Sequence, residues 1–225
     1  MEVYSSCGTV LGIKYQNGVL LASEKIINSG KTARYFGIER TKQISPTCLI
    51  TASGEYSDFQ EVTTLLKERQ EGDFCHNDNH SISPKSYHSY ATRIMYQRRN
   101  KQKPYTLRLV VAGIDSAKPF LGTVDLYGTP IVDHVVATGI GEHIAKPILI
   151  KAYAENQNMT RDQAEKVLID AMTVLFLRDC RGYPHLEISG IEIDANGKVQ
   201  ALESKDVEIN TKNRWASPNS VDLPI

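Results

Sequence analysis

CGTVLGIKYQNGVLLASEKIINSGKTARYFGIER, residues 7–40, is the stretch whose reading decides the fold. Val10–Tyr15 packs apolar and β-branched residues into one short strand. Asn17-Gly18 follows, the dipeptide that favours the two positive-φ positions of a tight hairpin turn. Residues 19–23 return as the partner strand. After Ser29-Gly30 a third extended piece is expected, ending near Arg40. In this arrangement Thr9, Glu24 and Arg40 meet at one end of the hairpin: a hydroxyl, a carboxylate and a fixed cation. Such a triplet reads as an enzyme centre or as the remnant of one.

Composition limits the classes open to the chain. Its 225 residues suit one large domain or two small ones, with a sizeable core. Lys plus Arg and Asp plus Glu both number 26, a formal net charge of zero. That speaks against a nucleic-acid or polyanion binder and fits, weakly, a subunit that associates. Cys7, Cys48, Cys75 and Cys180 form no CxxC pair, as expected of a chain from a reducing compartment. No apolar run approaches the ~20 residues of a membrane span, and the N-terminus carries no apolar signal region. No membrane partner, cofactor or metal is expected.

Beyond the hairpin the chain alternates strands and helices in blocks. Residues 47–52 read as a strand broken by Ser53-Gly54. Ser57 is expected to cap a helix, with Gln60 completing a capping box and Phe59, Val62, Leu65 and Leu66 forming its apolar stripe. Residues 70–84 are polar and read as a loop. His76 and His80 beside Cys75 suggest metal ligands, but no closed four-ligand spacing follows and a solvated loop is the simpler reading. A second helix is expected over 85–99, with Tyr87, Ala91, Ile94 and Met95 at helical spacing. Arg98, Arg99, Lys101 and Lys103 at its end read as cations favoured by the helix dipole or as a protein contact, rather than a phosphate site.

Residues 106–112, 119–125 and 134–137 read as strands. The turn Thr138-Gly-Ile-Gly141 leads into a third helix, whose first turn must hold Pro147. Thr160 and Gln163 form a capping box for a fourth. Its apolar face is so broad that it is expected to lie sandwiched between other elements. Residues 186–194 and 197–203 form a last hairpin. Blocks of strands and paired helices predict an α+β fold with antiparallel sheets and helices outside them. The tail from Ser204 lacks periodicity but holds the only tryptophan, Trp215, an aromatic anchor of the kind that dominates interfaces.

Residues 8–215 resemble a β-type subunit of the 20S proteasome. GTVLGIKYQNGVLLASE, ASGEYSD, VATGIGE and AMTVLFLRDCRG carry the likeness, and IMYQRRNK is the most specific block. With the Trp-bearing tail, that block resembles the seventh β position of the ring, one regarded as inactive. The resemblance implies a four-layer αββα sandwich of the N-terminal-nucleophile hydrolase type. It implies three segments: a short extension or propeptide remnant over 1–7, the domain over 8–203, and a C-terminal extension over 204–225. The expected partners are α and β subunits in stacked seven-membered rings, β subunits of the opposite ring reached through the tail, and unfolded proteins in the shared chamber. Arg98, Arg99, Trp215 and Ile225 are the expected assembly contacts. The expected location is cytoplasm and nucleus.

Active members of that family cut peptides with an N-terminal threonine, whose free amine takes the hydroxyl proton. Carried over residue by residue, the nucleophile position is Gly8. The orienting aspartate is Glu24, and the lysine is Arg40, which cannot release its proton at useful pH. The serine in the glycine turn is Ile140. The supporting aspartate persists as Asp179, while its serine partner is Gly182. Arg40 and Glu24 are expected to survive as an ion pair. Gly8-Thr9 mimics the bond at which active members cut themselves, so a catalytic Thr9 is the alternative. Its spacing to Glu24 is one residue short, and a one-residue slip turns a strand side chain to the other face. A third possibility is a stand-alone binding module sharing the fold without the ring.

Overall fold

Two antiparallel sheets, each apolar on both faces, organise the chain. The computed structural model describes residues 5–75, 81–194 and 196–209. The strands are β1 (Ser5–Cys7), β2 (Val10–Tyr15), β3 (Gly18–Glu24), β4 (Ile26–Ser29), β5 (Thr32–Phe36), β6 (Lys42–Ser45), β7 (Cys48–Glu55), β8 (Leu107–Asp115), β9 (Lys118–Val124), β10 (Pro130–Val132), β11 (Val135–Ala137), β12 (His185–Ile193) and β13 (Val199–Glu208). The helices are α1 (Tyr56–Phe74), α2 (Pro84–Asn100), α3 (Gly141–Ile144), α4 (Lys146–Glu155) and α5 (Arg161–Arg178). The first sheet runs β10-β9-β8-β7-β1-β4-β5, with β6 also paired to β7; the second runs β11-β2-β3-β12-β13.

Every residue of β3 is buried, because side chains that alternate across the strand meet a different core on each side. Leu20 and Ala22 join the apolar faces of α4 and α5, through Leu149, Leu168, Met172 and Leu175. Val19 and Leu21 point the other way, against Leu49, Val110, Ala112 and Leu121 of the first sheet. The outer face of the first sheet is covered by α1 and α2 through Phe59, Val62, Leu66, Tyr87, Ala91 and Met95. Helices thus lie outside and the sheets meet inside. A fully buried leucine in these layers contributes roughly 1.5–3 kcal/mol. Among the described residues no helix is long and apolar enough to cross a membrane.

The structure corrects several local expectations. The first hairpin turns through Gln16 and Asn17, with Gly18 already paired to Tyr15. Gly18 has no positive φ; it is small because a Cβ there would stand 2.2 Å from the Ile191 carbonyl oxygen of the neighbouring strand. Ser53-Gly54 does not end β7, which runs to Glu55. Gly54 takes φ +105° and lets Thr106 and Leu107 approach. Helix α1 starts at Tyr56 without a side-chain cap, so Ser57 lies inside it, and it continues to Phe74 through part of the expected loop. Ile26–Ser29 and Pro130–Val132 are further strands that the sequence pattern did not mark, and β13 continues to Glu208, five residues past the expected end. His76, His80, Trp215 and Ile225 lie outside the described residues. Pro147 does sit in the first turn of α4, and the Thr160–Gln163 capping box of α5 is present in both directions.

Candidate functional site

The β1–β2 junction, the end of β3, the loop before β6 and the C-terminus of α5 converge behind a cleft of about 440 Å³. Gly8, Thr9, Ile140 and Asp179 line the cleft, with Cys7, Arg108, Glu142 and Arg181. An ion pair from Arg108 of β8 to Glu142 of α3 ties two of its walls together.

Gly8 has no side chain, and the place where one would begin is taken: a Cβ there would stand 2.2 Å from Glu24 Oε2. The extra methylene of Glu24, relative to aspartate, delivers its carboxyl into the gap that glycine leaves. Glu24 is 2% exposed. Burial pushes its carboxyl up to about 7, aided by the charge of Asp179. The Arg40 charge and the N–H groups of Tyr183 and Thr9 act in the opposite direction.

Arg40 is wholly buried. Its guanidinium donates to the carbonyls of Gly8 (2.9 Å), Ala52 (2.6 Å), Glu24 (3.1 Å) and Thr9 (3.3 Å). It therefore knits the β1–β2 junction to β3 and β7 as a structural cation. The expected Arg40–Glu24 ion pair is not formed: among the described residues no carboxylate lies within ion-pair distance of Arg40. Four converging backbone carbonyls take up its terminal nitrogens instead, while the Glu24 carboxyl turns toward Gly8. Among the described residues Arg40 Nε has no hydrogen-bond partner.

Thr9 is 1% exposed. Its Oγ1 accepts the Gly141 N–H at 3.3 Å, and a Cβ on Gly141 would collide with Thr9 Cγ2 at 2.3 Å. The hydroxyl is thus held under the glycine turn, and the Thr9 nitrogen is a peptide amide joined to Gly8. The chain upstream is part of the first sheet: Cys7 pairs with Ile27 of β4 on one side and Gly54 of β7 on the other. Burial raises the Cys7 thiol against the pull of the Arg40 charge.

Ile140 offers the cleft an aliphatic side chain, 39% exposed. Asp179 ends α5; its Oδ1 accepts the Arg181 N–H at 2.9 Å. Gly182 donates its N–H to the Asp179 carbonyl, and a Cβ there would press on Phe176 at 3.0 Å. Gly8, Glu24, Arg40, Ile140, Asp179 and Gly182 are therefore gathered at one place, with the Thr9 hydroxyl beside them. Arg98 and Arg99 lie elsewhere, on the last turn of α2, and differ. Arg98 turns inward and stacks on buried Tyr105 at 4.3 Å, whereas Arg99 is exposed.

Glu187 escaped sequence reading. It is 2% exposed on β12, and Oε2 accepts the Arg40 N–H (2.7 Å) while Oε1 accepts Ser189 and Ser204 hydroxyls. In LEISGIEI an acid between two apolar residues reads as the solvent face of a strand. Only the second sheet's burial on both sides makes that face internal. Among the described residues no group of acids, histidines and cysteines is placed to hold a metal ion.

Comparison with known proteins bears on the same residues. The proteasome subunit family matches residues 4–191. A proteasome subunit beta type-4 of Dictyostelium discoideum is 38% identical over 210 residues, 91% of this chain and 81% of that protein. Its counterpart in Arabidopsis thaliana is 40% identical over 188 residues, covering 84% and 76%. The proteasome subunit beta type-7 of Saccharomyces cerevisiae is 31% identical over 192 residues, covering 82% and 72%.

Proposed function

This chain belongs to the proteasome subunit family and is a β-type subunit of the 20S core particle, and from that premise we propose that it is a non-catalytic, structural member of the β ring. One observation carries the reading: the Glu24 carboxyl fills the place where the side chain at position 8 would begin. A threonine there would have to displace a buried acid. The remaining positions support it, since Arg40 cannot trade a proton and its donors are engaged by four carbonyls. On this reading the domain over 8–203 is an αββα sandwich. It holds its place between neighbours in seven-membered rings, and the extension over 204–225 reaches β subunits of the opposite ring. The threonine peptidases are neighbouring subunits, which cut unfolded proteins, ubiquitin-tagged ones among them, in the cytoplasm and nucleus.

The second reading is a threonine endopeptidase that uses Thr9, and its support is the position of Thr9 on the cleft wall. A covalent threonine-directed probe applied to the assembled particle separates the two. The structural reading predicts that neighbouring β subunits are labelled and this chain is not. Stoichiometric labelling of Thr9 would overturn it.

A further inference from the structure

Helix α2 ends in a surface feature at the outer rim of the cleft, which Tyr127 also lines. Arg99 stands between two tyrosines, its guanidinium carbon 5.7 Å from the ring centre of Tyr96 and 6.0 Å from that of Tyr127. The two rings are 49% and 57% exposed. Tyr127 is brought there by a built turn after β9. Asp125 Oδ1 accepts the N–H groups of Tyr127 (2.9 Å) and Thr129 (2.7 Å), and the Asp125 carbonyl accepts that of Gly128 (3.0 Å). Gly128 adopts φ +79°, and a Cβ on it would stand 2.8 Å from the Tyr96 nitrogen, so the turn lies flat on the helix. Arg99 is therefore held between rings rather than waving free, which lowers the entropy lost when it binds.

The charge around it has one sign. Every charged residue between Asp78 and Asp115 is basic, although the whole chain is neutral. Among the described residues no carboxylate pairs with Arg99, and exposed Lys101 and Lys103 follow it directly. Ile131 and Val132 of β10, the strand that leaves the same turn, are 48% and 57% exposed. Exposed tyrosine with arginine is the composition of an interface centre.

We propose that Tyr96, Arg99 and Tyr127 form a docking site for a carboxylate on an adjoining protein subunit, with Lys101 and Lys103 as its charged rim. A guanidinium near two exposed rings offers a planar fork of donors, the group that takes a carboxylate through two parallel hydrogen bonds. The exposed tyrosines fit the surface of a folded protein better than a phosphate polymer. The proposal rests on the reading of the chain as a ring subunit and adds the place and chemistry of one contact.

The test uses the full-length tagged chain, expressed beside the untagged one and recovered in assembled core particles. A zero-length carbodiimide is then used to join lysines to carboxylates in contact. The site predicts links from Lys101 or Lys103 to an Asp or Glu of a neighbouring subunit. Arg99→Glu, at an unchanged melting temperature, is expected to lower incorporation at least tenfold against the untagged competitor and to abolish those links. Arg99→Lys should fall between. Wild-type entry with indifferent Arg99→Glu entry and unchanged links would overturn the site alone. Failure of the wild-type chain to enter particles would instead overturn the ring-subunit reading. Loss of the patch's retention on nuclease treatment, without any carboxylate link, would reassign it to a phosphate polymer and overturn the proposal.

Discussion

Arg40 and Arg99 sit in regions built on opposite principles. Around Arg40 the cation is wholly buried and its guanidinium hydrogens are turned on four carbonyls of its own chain. Around Arg99 the cation is exposed and lies near two exposed rings, with no carboxylate paired to it among the described residues. The first region lies behind the cleft and behaves as core. The second reaches the cleft rim through Tyr127 and has the composition of a contact. A residue type therefore says little until its hydrogen-bond partners are known, and here they separate internal structure from assembly.

The comparison is broken most forcefully at its buried end. Arg40→Met leaves four converging carbonyls without donors in a dry site, and we expect a loss of about 3–5 kcal/mol in urea unfolding. A loss below about 1 kcal/mol would mean that the guanidinium is not the tie it resembles. Glu24→Gln comes next and is a matter of pH. The folded-state pKa of Glu24 is raised from 4.5 to about 7, so between those values the native state holds more protons than the unfolded one. Stability attributable to this group is therefore full below pH 4.5 and falls as pH rises through 7. Glu24→Gln should flatten that slope and gain on the order of 2 kcal/mol at pH 8. An unchanged pH profile would show that Glu24 titrates normally.

Gly8→Thr sharpens the same point. Overpacking against Glu24 should cost about 1–3 kcal/mol, and adding Glu24→Asp should recover more than half of it, a coupling visible in a double-mutant cycle. Neither variant should gain peptidase activity, because Arg40 remains and Thr9 stays amide-linked. The smallest effects fall on α2. Arg98→Ala should cost about 1 kcal/mol through its lost stacking on Tyr105, and Arg99→Ala less than about 0.5 kcal/mol. Equal costs would remove the contrast between inward and outward arginines.

Much of this was legible from residues alone. The hairpin of Val10–Tyr15 and its partner, the α5 capping box and the Pro147 position follow from local rules of pattern and capping, and the structure has them. What was not legible depends on neighbours distant in sequence. Gly18 looked like a turn residue, but its smallness answers Ile191, more than 170 residues away. Gly54 looked like a strand breaker, yet its positive φ admits β8 without ending β7. At the site, that position 8 carries no side chain was plain, since it needs only a residue identity. That Glu24 fills the vacated space, and that Arg40 pairs with carbonyls rather than with Glu24, needed coordinates. Ser5–Cys7 is too short and polar to announce a strand, and its pairing on both sides is a tertiary fact.

That strand also gives the most direct test. If the chain is a structural subunit, Ser5–Cys7 stays in place between β4 and β7, and the Thr9 nitrogen is never released as an amine. The measurement is the intact mass of this chain from assembled native particles. The account predicts an N-terminus at or upstream of Ser5. A mass that begins at Thr9 would contradict it, because the sheet would then have lost an interior strand and Thr9 would have gained the free amine that catalysis requires.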